Sequence, residues 1–261
     1  MRVLLCLLAL MIAIASPASA QWNKSSQTTK QETAAPDDVL ADAQDVFLAI
    51  FYHEFGHALI DVMDLPVLGL EEDAADVLSV LLLNQLWDAE SSEVKLRAAA
   101  GFWAASAAHW AEAGEAPSNW GVHSPDERRY YTYVCLYFGA DPQSRTDLAA
   151  DLGLPPERAA TCPAEHDLAA ASWGPYLDEL YDAGAGKSLV WNGPPDVDDP
   201  FASLLRDEVI YLNDALTLPR PVTVTVAACG EPNAFYDPET VSVTMCAELM
   251  GYLLEADAAN M

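Results

Sequence analysis

Residues 47–63, FLAIFYHEFGHALIDVM, decide the fold. Apolar side chains recur through this stretch at helical spacing, which predicts a long helix beginning just after Pro36. His53, Glu54 and His57 form an H-E-x-x-H motif within it. Residues four apart share a helix face, so both imidazoles can reach one metal ion, and Glu54 beside them can take a proton from a bound water. The motif alone also fits a helix with two structural histidines, but polar groups on an otherwise apolar helix need a partner.

The third ligand is expected from the next predicted helix. A catalytic zinc ion takes three protein ligands and a water, and acids are clustered from residue 71 to residue 76. Glu72 and Asp76 are four apart, so one can bind the metal while the other hydrogen-bonds the outer nitrogen of a ligand histidine. Glu71 and Asp73 also fit an acidic first turn that complements the helix dipole.

These two motifs resemble the signature of the gluzincins, H-E-x-x-H followed by E-x-x-x-D, here from Glu72 to Asp76. The resemblance implies a zincin-like (minigluzincin) α+β fold, mostly helical, with an active-site helix and a small β-hairpin or sheet. It implies one zinc ion bound by His53, His57 and Glu72, with Asp76 supporting a ligand histidine and Glu54 as general base.

A second segment resembles the HtpX and CAAX-processing zinc endopeptidases. The sequence HSPDERR from His123 to Arg129 is similar to their H-P-x-x-x-x-R segment, with Ser124 at the proline position. The resemblance implies that His123 helps to stabilise the oxyanion and that Arg129 steadies acidic groups near the metal. Arg128 is the alternative to Arg129, and a loop-end cap is the alternative role of His123.

The C-terminal part contains two strand signals, VTVTVA at 222–227 and VSVTM at 241–245, and they predict a hairpin. Asn233-Ala234-Phe235 and the strand after it are similar to the N-A-F segment and edge strand of the same endopeptidases. In those enzymes the edge pairs with the substrate backbone. The resemblance therefore implies substrate binding by Asn233, Val241 and Val243, with 241–245 as an exposed edge beside the first helix.

The chain as a whole resembles an exported bacterial family described only as "putative metallopeptidase". The shared motifs are HExGHAL, GxEEDAAD, HSxDExR, RAxxC and CGxxNAFYDP, and they cover most of residues 44–250. In that family the CGxxNAFYDP block precedes H-E-x-x-H, whereas here Cys229–Pro238 follows it. The resemblance therefore implies a circular permutation in which residues 184–200 join the old ends.

The N-terminus predicts export. Residues 1–20 combine a basic residue, an apolar run and an A-x-A cleavage site, which is typical of a signal peptide. Residues 21–36 are polar and predict a flexible segment. Residues 37–257 then form one metallopeptidase domain, with a helical part at 37–183, a Gly/Pro/Asp-rich linker at 184–200 and a helix-hairpin-helix part at 201–257. We expect a periplasmic or secreted bacterial protein without stable membrane insertion after signal cleavage.

Four cysteines remain after the predicted cleavage, and an even number in an oxidising compartment indicates two disulfides. Three connectivities are possible for Cys135, Cys162, Cys229 and Cys246. Proximity in the sequence favours Cys135–Cys162 and Cys229–Cys246.

The charge balance argues against nucleic acid as a partner. Lys and Arg number 12 against 40 Asp and Glu, a formal net charge of −28, and nucleic-acid binding needs a basic face. The sequence therefore predicts an exported zinc-dependent metallopeptidase acting on peptides or proteins. The alternatives are a catalytically inactive metal-binding or interaction protein on a zincin scaffold and a helical domain without metal. The intact Glu54 argues against the inactive form.

Overall fold

The computed structural model describes residues 36–117, 120–194 and 198–260, so the predicted signal peptide and residues 21–35 lie outside the described residues. Pro36, expected in the flexible segment, is the first residue of helix α1. The helices are α1 (Pro36–Val62), α2 (Glu71–Leu86), α3 (Ala89–Glu112), α4 (Asp126–Ala140), α5 (Thr146–Asp151), α6 (Pro156–Ala159), α7 (Cys162–Asp182), α8 (Pro200–Ala215) and α9 (Ala247–Asn260). The strands are β1 (Leu189–Trp191), β2 (Val222–Ala227), β3 (Ala234–Asp237) and β4 (Ser242–Cys246). The mostly helical α+β class with a small sheet is confirmed.

Helix α1 is the centre of the core. It packs against α2, α3, α8 and α9 and against strands β3 and β4. Phe47, Phe51 and Phe55 on it are fully buried, as are Tyr52 and Leu59. A helix that is apolar around most of its circumference is stable only when other elements cover it on several sides. The H-E-x-x-H motif is therefore held on the most enclosed helix of the described chain.

Helix α2 lies unusually close to α1 at Gly56. A Cβ atom added at Gly56 would come within 3.0 Å of the Ala75 Cα atom, so the small residues at both positions permit the close approach. The chain reverses between the two helices through Leu65–Leu70. This packing brings the first turn of α2, with its acids, beside the two histidines of α1.

The sheet corrects the expected strand pairing. Its order is β1-β2-β4-β3, and β2 runs parallel to β4 with Val224 opposite Val243. The prediction that these two strands form a hairpin is therefore wrong. The connection between them contains strand β3, which folds back antiparallel onto β4 and places Tyr236 opposite Val243. Parallel neighbours need a long connection, and this one has room for an additional strand.

Part of the predicted linker is also a strand. Within 184–200, residues Leu189–Trp191 form β1, which pairs in parallel with β2. The Asn213 side chain of α8 accepts a hydrogen bond from the Leu189 amide and donates one to its carbonyl. These bonds give the Leu189 backbone amide and carbonyl their hydrogen-bond partners. The strand itself is too short to be recognised from its sequence pattern.

Both disulfides favoured by sequence proximity are confirmed. Cys135 on α4 is bonded to Cys162 at the start of α7, and Cys229 is bonded to Cys246 at the end of β4. The second bridge ties together the two ends of the segment that contains β3. Among the described residues, no helix has the length and apolar character needed to cross a membrane.

A buried acid, Glu208, contacts helix α1 at Tyr52. The Tyr52 hydroxyl donates to Glu208 Oε1 at 2.7 Å, and Trp87 Nε1 donates to the same hydroxyl at 3.2 Å. Burial raises the pKa of Glu208 to about 7, although the Tyr52 hydrogen bond and the charge of Lys95 act in the opposite direction.

This raised pKa predicts a pH-dependent stability. The folded chain keeps the Glu208 proton up to about pH 7, whereas the ordinary pKa of a glutamate is 4.5. The free energy of unfolding should therefore fall as pH rises from about 4.5 to 7, by up to about 3 kcal/mol from this group. Glu208→Gln should lose this component, while Asp207→Asn, on the exposed face of α8, should keep it. Urea unfolding at pH 5 and pH 8 measures the difference, and an identical pH dependence in wild type and Glu208→Gln would contradict the prediction.

Candidate metal centre

Three imidazoles converge on one carboxylate oxygen. Glu72 Oε2 lies 3.1 Å from His53 Nε2, 3.3 Å from His57 Nε2 and 3.0 Å from His123 Nε2. The Nε2 atoms of His53 and His57 are 3.3 Å apart. His53 is buried, whereas the His123 side chain is more than half exposed. The ligand atoms of His53, Glu72 and His123 all lie within 4.8 Å of one another.

The spacing of these atoms fits a bound metal ion. Nitrogen and oxygen ligands stand about 2.0–2.1 Å from zinc, so two ligand atoms in a tetrahedral site are about 3.3 Å apart. The three distances among His53 Nε2, His57 Nε2 and Glu72 Oε2 are 3.1, 3.3 and 3.3 Å. Two imidazoles and one carboxylate are also a common donor set of catalytic zinc sites.

Each α1 histidine has a carboxylate behind it. His53 Nδ1 is 2.9 Å from Asp76 Oδ1, and His57 Nδ1 is 2.8 Å from Glu71 Oε1. An ionised carboxylate only accepts hydrogen bonds, so each Nδ1 carries a proton and donates it. The lone pair of each Nε2 is then directed to the shared centre, as in metal sites with a carboxylate behind the ligand histidine.

The electrostatics of the centre favour a positive charge. Burial lowers the pKa of His53, but hydrogen bonds to Asp76 and Glu72 outweigh it and raise that pKa to about 9. Burial also opposes ionisation of Glu72, yet the hydrogen bonds of His123, His53 and His57 hold the pKa of this carboxyl well below its usual range. The same negative surroundings that favour a proton on an imidazole favour a metal cation in its place.

Glu54 differs from the other acids of the centre. It is 7% exposed, and burial raises its pKa above the ordinary value, although the neighbouring charges of His53 and His57 act in the opposite direction. The backbone N–H of Tyr236 on β3 interacts with its carboxylate and also acts against the upward shift of this pKa. A buried carboxylate with a raised pKa suits proton transfer better than an ordinary surface acid.

The acids at the start of α2 have different partners. Glu71 contacts His57, and Glu72 contacts the three imidazoles. Asp73 accepts a hydrogen bond from the Ser124 hydroxyl at 2.6 Å. The buried Ser124 therefore ties the loop that carries His123 to α2. Glu71 and Asp73 also lie in the first turn of α2, as the helix-dipole interpretation expected, but the sequence could not assign their side-chain contacts.

The structure separates the two candidate arginines. Arg129 is buried and makes two hydrogen bonds to Asp76, from Nε to Oδ2 at 2.8 Å and from NH2 to Oδ1 at 2.7 Å. Arg128 is mostly exposed, and its guanidinium lies 3.4 Å from Asp73. Arg129 thus holds the carboxylate that faces His53, and its guanidinium also stacks on the Trp103 ring.

Arg129 is therefore expected to matter far more for stability than its neighbour. Removing one partner of a buried ion pair leaves an uncompensated charge and typically costs about 3–5 kcal/mol. Arg129→Met should lower the free energy of unfolding by that order because it strands the buried Asp76. Arg128→Met, the matched control, should cost less than about 1 kcal/mol, as exposed pairs do. Denaturant unfolding of both variants tests this, and equal losses would refute the assignment.

The expected substrate-binding edge is corrected by the sheet order. Strand β4 is an inner strand with its Val243 side chain fully buried, and Val241 lies in the turn before it with a φ of +52°. Strand β3 covers β4 and is the outer strand on this side. The N-A-F segment itself contributes to β3, with Asn233 immediately before Ala234. The error arose because AFYD is too short to be distinguished from a turn by its sequence.

A cleft of about 680 Å³ runs from the metal centre towards this strand. Its lining includes His57, Glu72, Asp61 and Tyr236. A cleft of this size lies within the range of ligand-binding sites. The Tyr236 contact with Glu54 joins the two sides of the site, and no sequence signal pointed to it.

Comparison with known proteins identifies the family of the chain. No curated protein and no solved structure matches the chain. One family model matches residues 11–177 and 202–260, which include helix α1, the acids of α2, the His123 loop and strand β3. The resemblance to a metallopeptidase family is thereby confirmed. The chain belongs to the family described as "Putative metallopeptidase".

Proposed function

We propose that the protein is an exported, zinc-dependent peptidase of the gluzincin type, with a zincin-like fold that this chain carries in circularly permuted order. The observation that carries the proposal is the convergence of His53 Nε2, His57 Nε2 and Glu72 Oε2 within 3.3 Å of one another beside the buried Glu54. Membership of a metallopeptidase family supports a peptide or protein as substrate.

In this proposal His53, His57 and Glu72 hold one zinc ion. When bound, zinc polarises a peptide carbonyl and lowers the pKa of a water molecule. Asp76 and Glu71 keep the Nδ1 protons of the two histidines in place, so that both Nε2 atoms remain available as ligands. Arg129 neutralises Asp76 and fixes its orientation.

Glu54 is the general base. Its carboxylate takes a proton from the attacking water and then delivers it to the nitrogen of the leaving amine. Its enclosure between α1 and β3 and the upward shift of its pKa bring its basicity closer to neutral pH. The His123 side chain is more than half exposed, and in this proposal its Nε2–H turns from Glu72 to donate to the oxyanion that develops on the scissile carbonyl.

Strand β3 takes the substrate-binding role that we had expected of β4. An extended peptide can pair with those outward-facing backbone groups of an edge strand that are not bonded to the rest of the chain, and such pairing fixes the position of the scissile bond. Asn233, exposed at the beginning of β3, is placed to contact such a peptide. This assignment replaces Val241 and Val243, whose positions in a turn and in the core do not suit direct contact.

The test of the activity is hydrolysis of a mixed peptide library by the purified chain beginning at Gln21, with products identified by mass spectrometry. We expect new peptide termini that disappear after treatment with a zinc chelator and return when zinc is added. Binding of zinc without any cleavage would favour the inactive metal-binding alternative. Absence of zinc binding would exclude both the zinc peptidase and the inactive metal-binding protein.

Export has its own test. The two disulfides support an oxidising compartment, because such bonds rarely persist in a reducing one. In a bacterial host that expresses the full chain, we expect the protein outside the cytoplasm with Gln21 as its first residue. Cytoplasmic protein that retains residues 1–20 would contradict the proposal of export.

A further inference from the structure

Tyr236 contacts helix α1 at two points. Its hydroxyl donates to Asp61 Oδ2 at 2.5 Å. Almost two helical turns earlier on α1, its backbone N–H interacts with the Glu54 carboxylate. One residue of the outer strand therefore interacts with both the proposed general base and the C-terminal end of the same helix.

Asp61 is itself fixed by a cation from another element. Arg220, just before β2, donates to Asp61 Oδ2 at 2.8 Å and to the Asp61 carbonyl oxygen at 2.9 Å. The second bond uses the Asp61 carbonyl at the end of α1, which also accepts a hydrogen bond from the Asp64 amide at 3.2 Å. Arg220, Asp61 and Tyr236 thus form a chain of contacts, which we name the β3 clamp.

The strand pairing explains why Tyr236 can reach Glu54. The amide of Cys246 donates to the Asn233 carbonyl, and residues of an antiparallel pair alternate between hydrogen-bonded and non-hydrogen-bonded positions. In the register of β3 and β4, Phe235 and Asp237 therefore face β4 with their backbone groups, whereas Ala234 and Tyr236 face away. The Tyr236 N–H is directed to α1 for this reason.

We propose that Tyr236 is a positioning residue that acts through Glu54, and that the β3 clamp holds it in place. The bond between the Tyr236 hydroxyl and Asp61 fixes the position of the short outer strand along α1. When this bond is lost, β3 can shift, and the Tyr236 N–H that orients the Glu54 carboxylate shifts with the strand. This inference rests on the proposed function for its catalytic consequence, whereas the clamp itself is a structural claim that can be tested separately.

Tyr236→Phe is the informative variant because it keeps the ring and the backbone N–H and removes only the hydroxyl. We expect kcat for peptide hydrolysis to fall roughly tenfold, since misplacement of a catalytic group lowers the rate of the chemical step. KM should change by less than about twofold, and the zinc content should not change. Tyr252→Phe, on the partly exposed face of α9, is the matched control and should leave all three quantities at wild-type values.

Asp61 provides the complementary variants. Asp61→Ala should reproduce the loss in kcat, whereas Asp61→Asn, which still offers an oxygen to the phenol, should restore most of it. The Tyr236→Phe/Asp61→Ala double variant should be no slower than the slower single variant, because both changes break the same contact.

Hydrogen exchange separates the clamp from the activity. In Tyr236→Phe, the amides of β3 should exchange faster than in the wild type while those of β2 do not change. Unchanged exchange in β3 would overturn the clamp, whether or not the wild type cleaves peptides. Faster exchange with wild-type kcat would overturn the positioning role. A wild-type chain that shows β3 protection and no hydrolysis of any peptide would instead contradict the proposed function.

Discussion

Glu54→Gln is expected to abolish hydrolysis almost completely while leaving the bound zinc in place. A positioned general base contributes about 10²- to 10⁴-fold to the rate, and glutamine is nearly isosteric with glutamate but cannot take up the proton. Glu54 is not among the proposed ligands, so its replacement removes no metal contact. We therefore predict a fall of kcat in that range together with wild-type zinc content.

The measurement combines steady-state hydrolysis of a cleaved library peptide with metal analysis of the same sample. Glu93→Gln is the matched control and should have no effect on either quantity, since Glu93 is a partly exposed partner of Arg97 on α3. Activity of Glu54→Gln within a few fold of the wild type would remove Glu54 from the mechanism. Loss of zinc from this variant would mean that Glu54 belongs to the ligand set.

Alanine variants of the acids at the start of α2 should form a graded series of zinc affinities. Glu72→Ala removes a proposed ligand and should weaken zinc binding by more than about 100-fold, since loss of even an outer partner costs about 10- to 100-fold. Glu71→Ala and Asp76→Ala each remove the carboxylate behind one histidine. Each of these variants should therefore lose only about 10- to 100-fold in zinc affinity.

Asp73→Ala is the control in this series, because Asp73 contacts Ser124 and Arg128 and no imidazole of α1. Competition with a chromophoric chelator gives the four affinities. We expect the loss of zinc affinity to be largest for Glu72→Ala, smaller for Glu71→Ala and Asp76→Ala, and smallest for Asp73→Ala. A loss at Glu71→Ala larger than that at Glu72→Ala would transfer the third ligand to Glu71.

The sequence was sufficient for the parts of the site that depend on local spacing. His53 and His57 lie one helical turn apart, so their shared face follows from the helix itself. Glu72 and Asp76 have the same spacing, and the small residues Gly56 and Ala75 allow the two helices to meet there. Local geometry and one close helix contact therefore determine most of the candidate centre.

The sheet could not be predicted in the same way, because its pairing depends on distant segments. Strands β1 and β3 are only three and four residues long, and neither has a pattern that distinguishes it from a loop. The alternation in β2 and β4 correctly indicated strands but could not reveal that they are parallel neighbours. The position of β3 outside β4 moved the expected substrate edge by one strand.

The choice between neighbouring residues of one type also needed the structure. Arg128 and Arg129 are adjacent, yet the direction of α4 places only Arg129 in the core beside Asp76. The Tyr236 hydroxyl reaches an acid 175 positions away in the sequence, and no short motif encodes such a contact.

Anomalous X-ray scattering from crystals of the zinc-loaded chain, recorded on both sides of the zinc absorption edge, tests the central claim most directly. We expect one zinc peak per chain, bonded to His53 Nε2, His57 Nε2 and one carboxylate oxygen of Glu72, with the Glu54 carboxylate beside it and not bonded to it. A zinc peak bonded to other residues, or no peak between these three side chains in crystals grown with excess zinc, would contradict it.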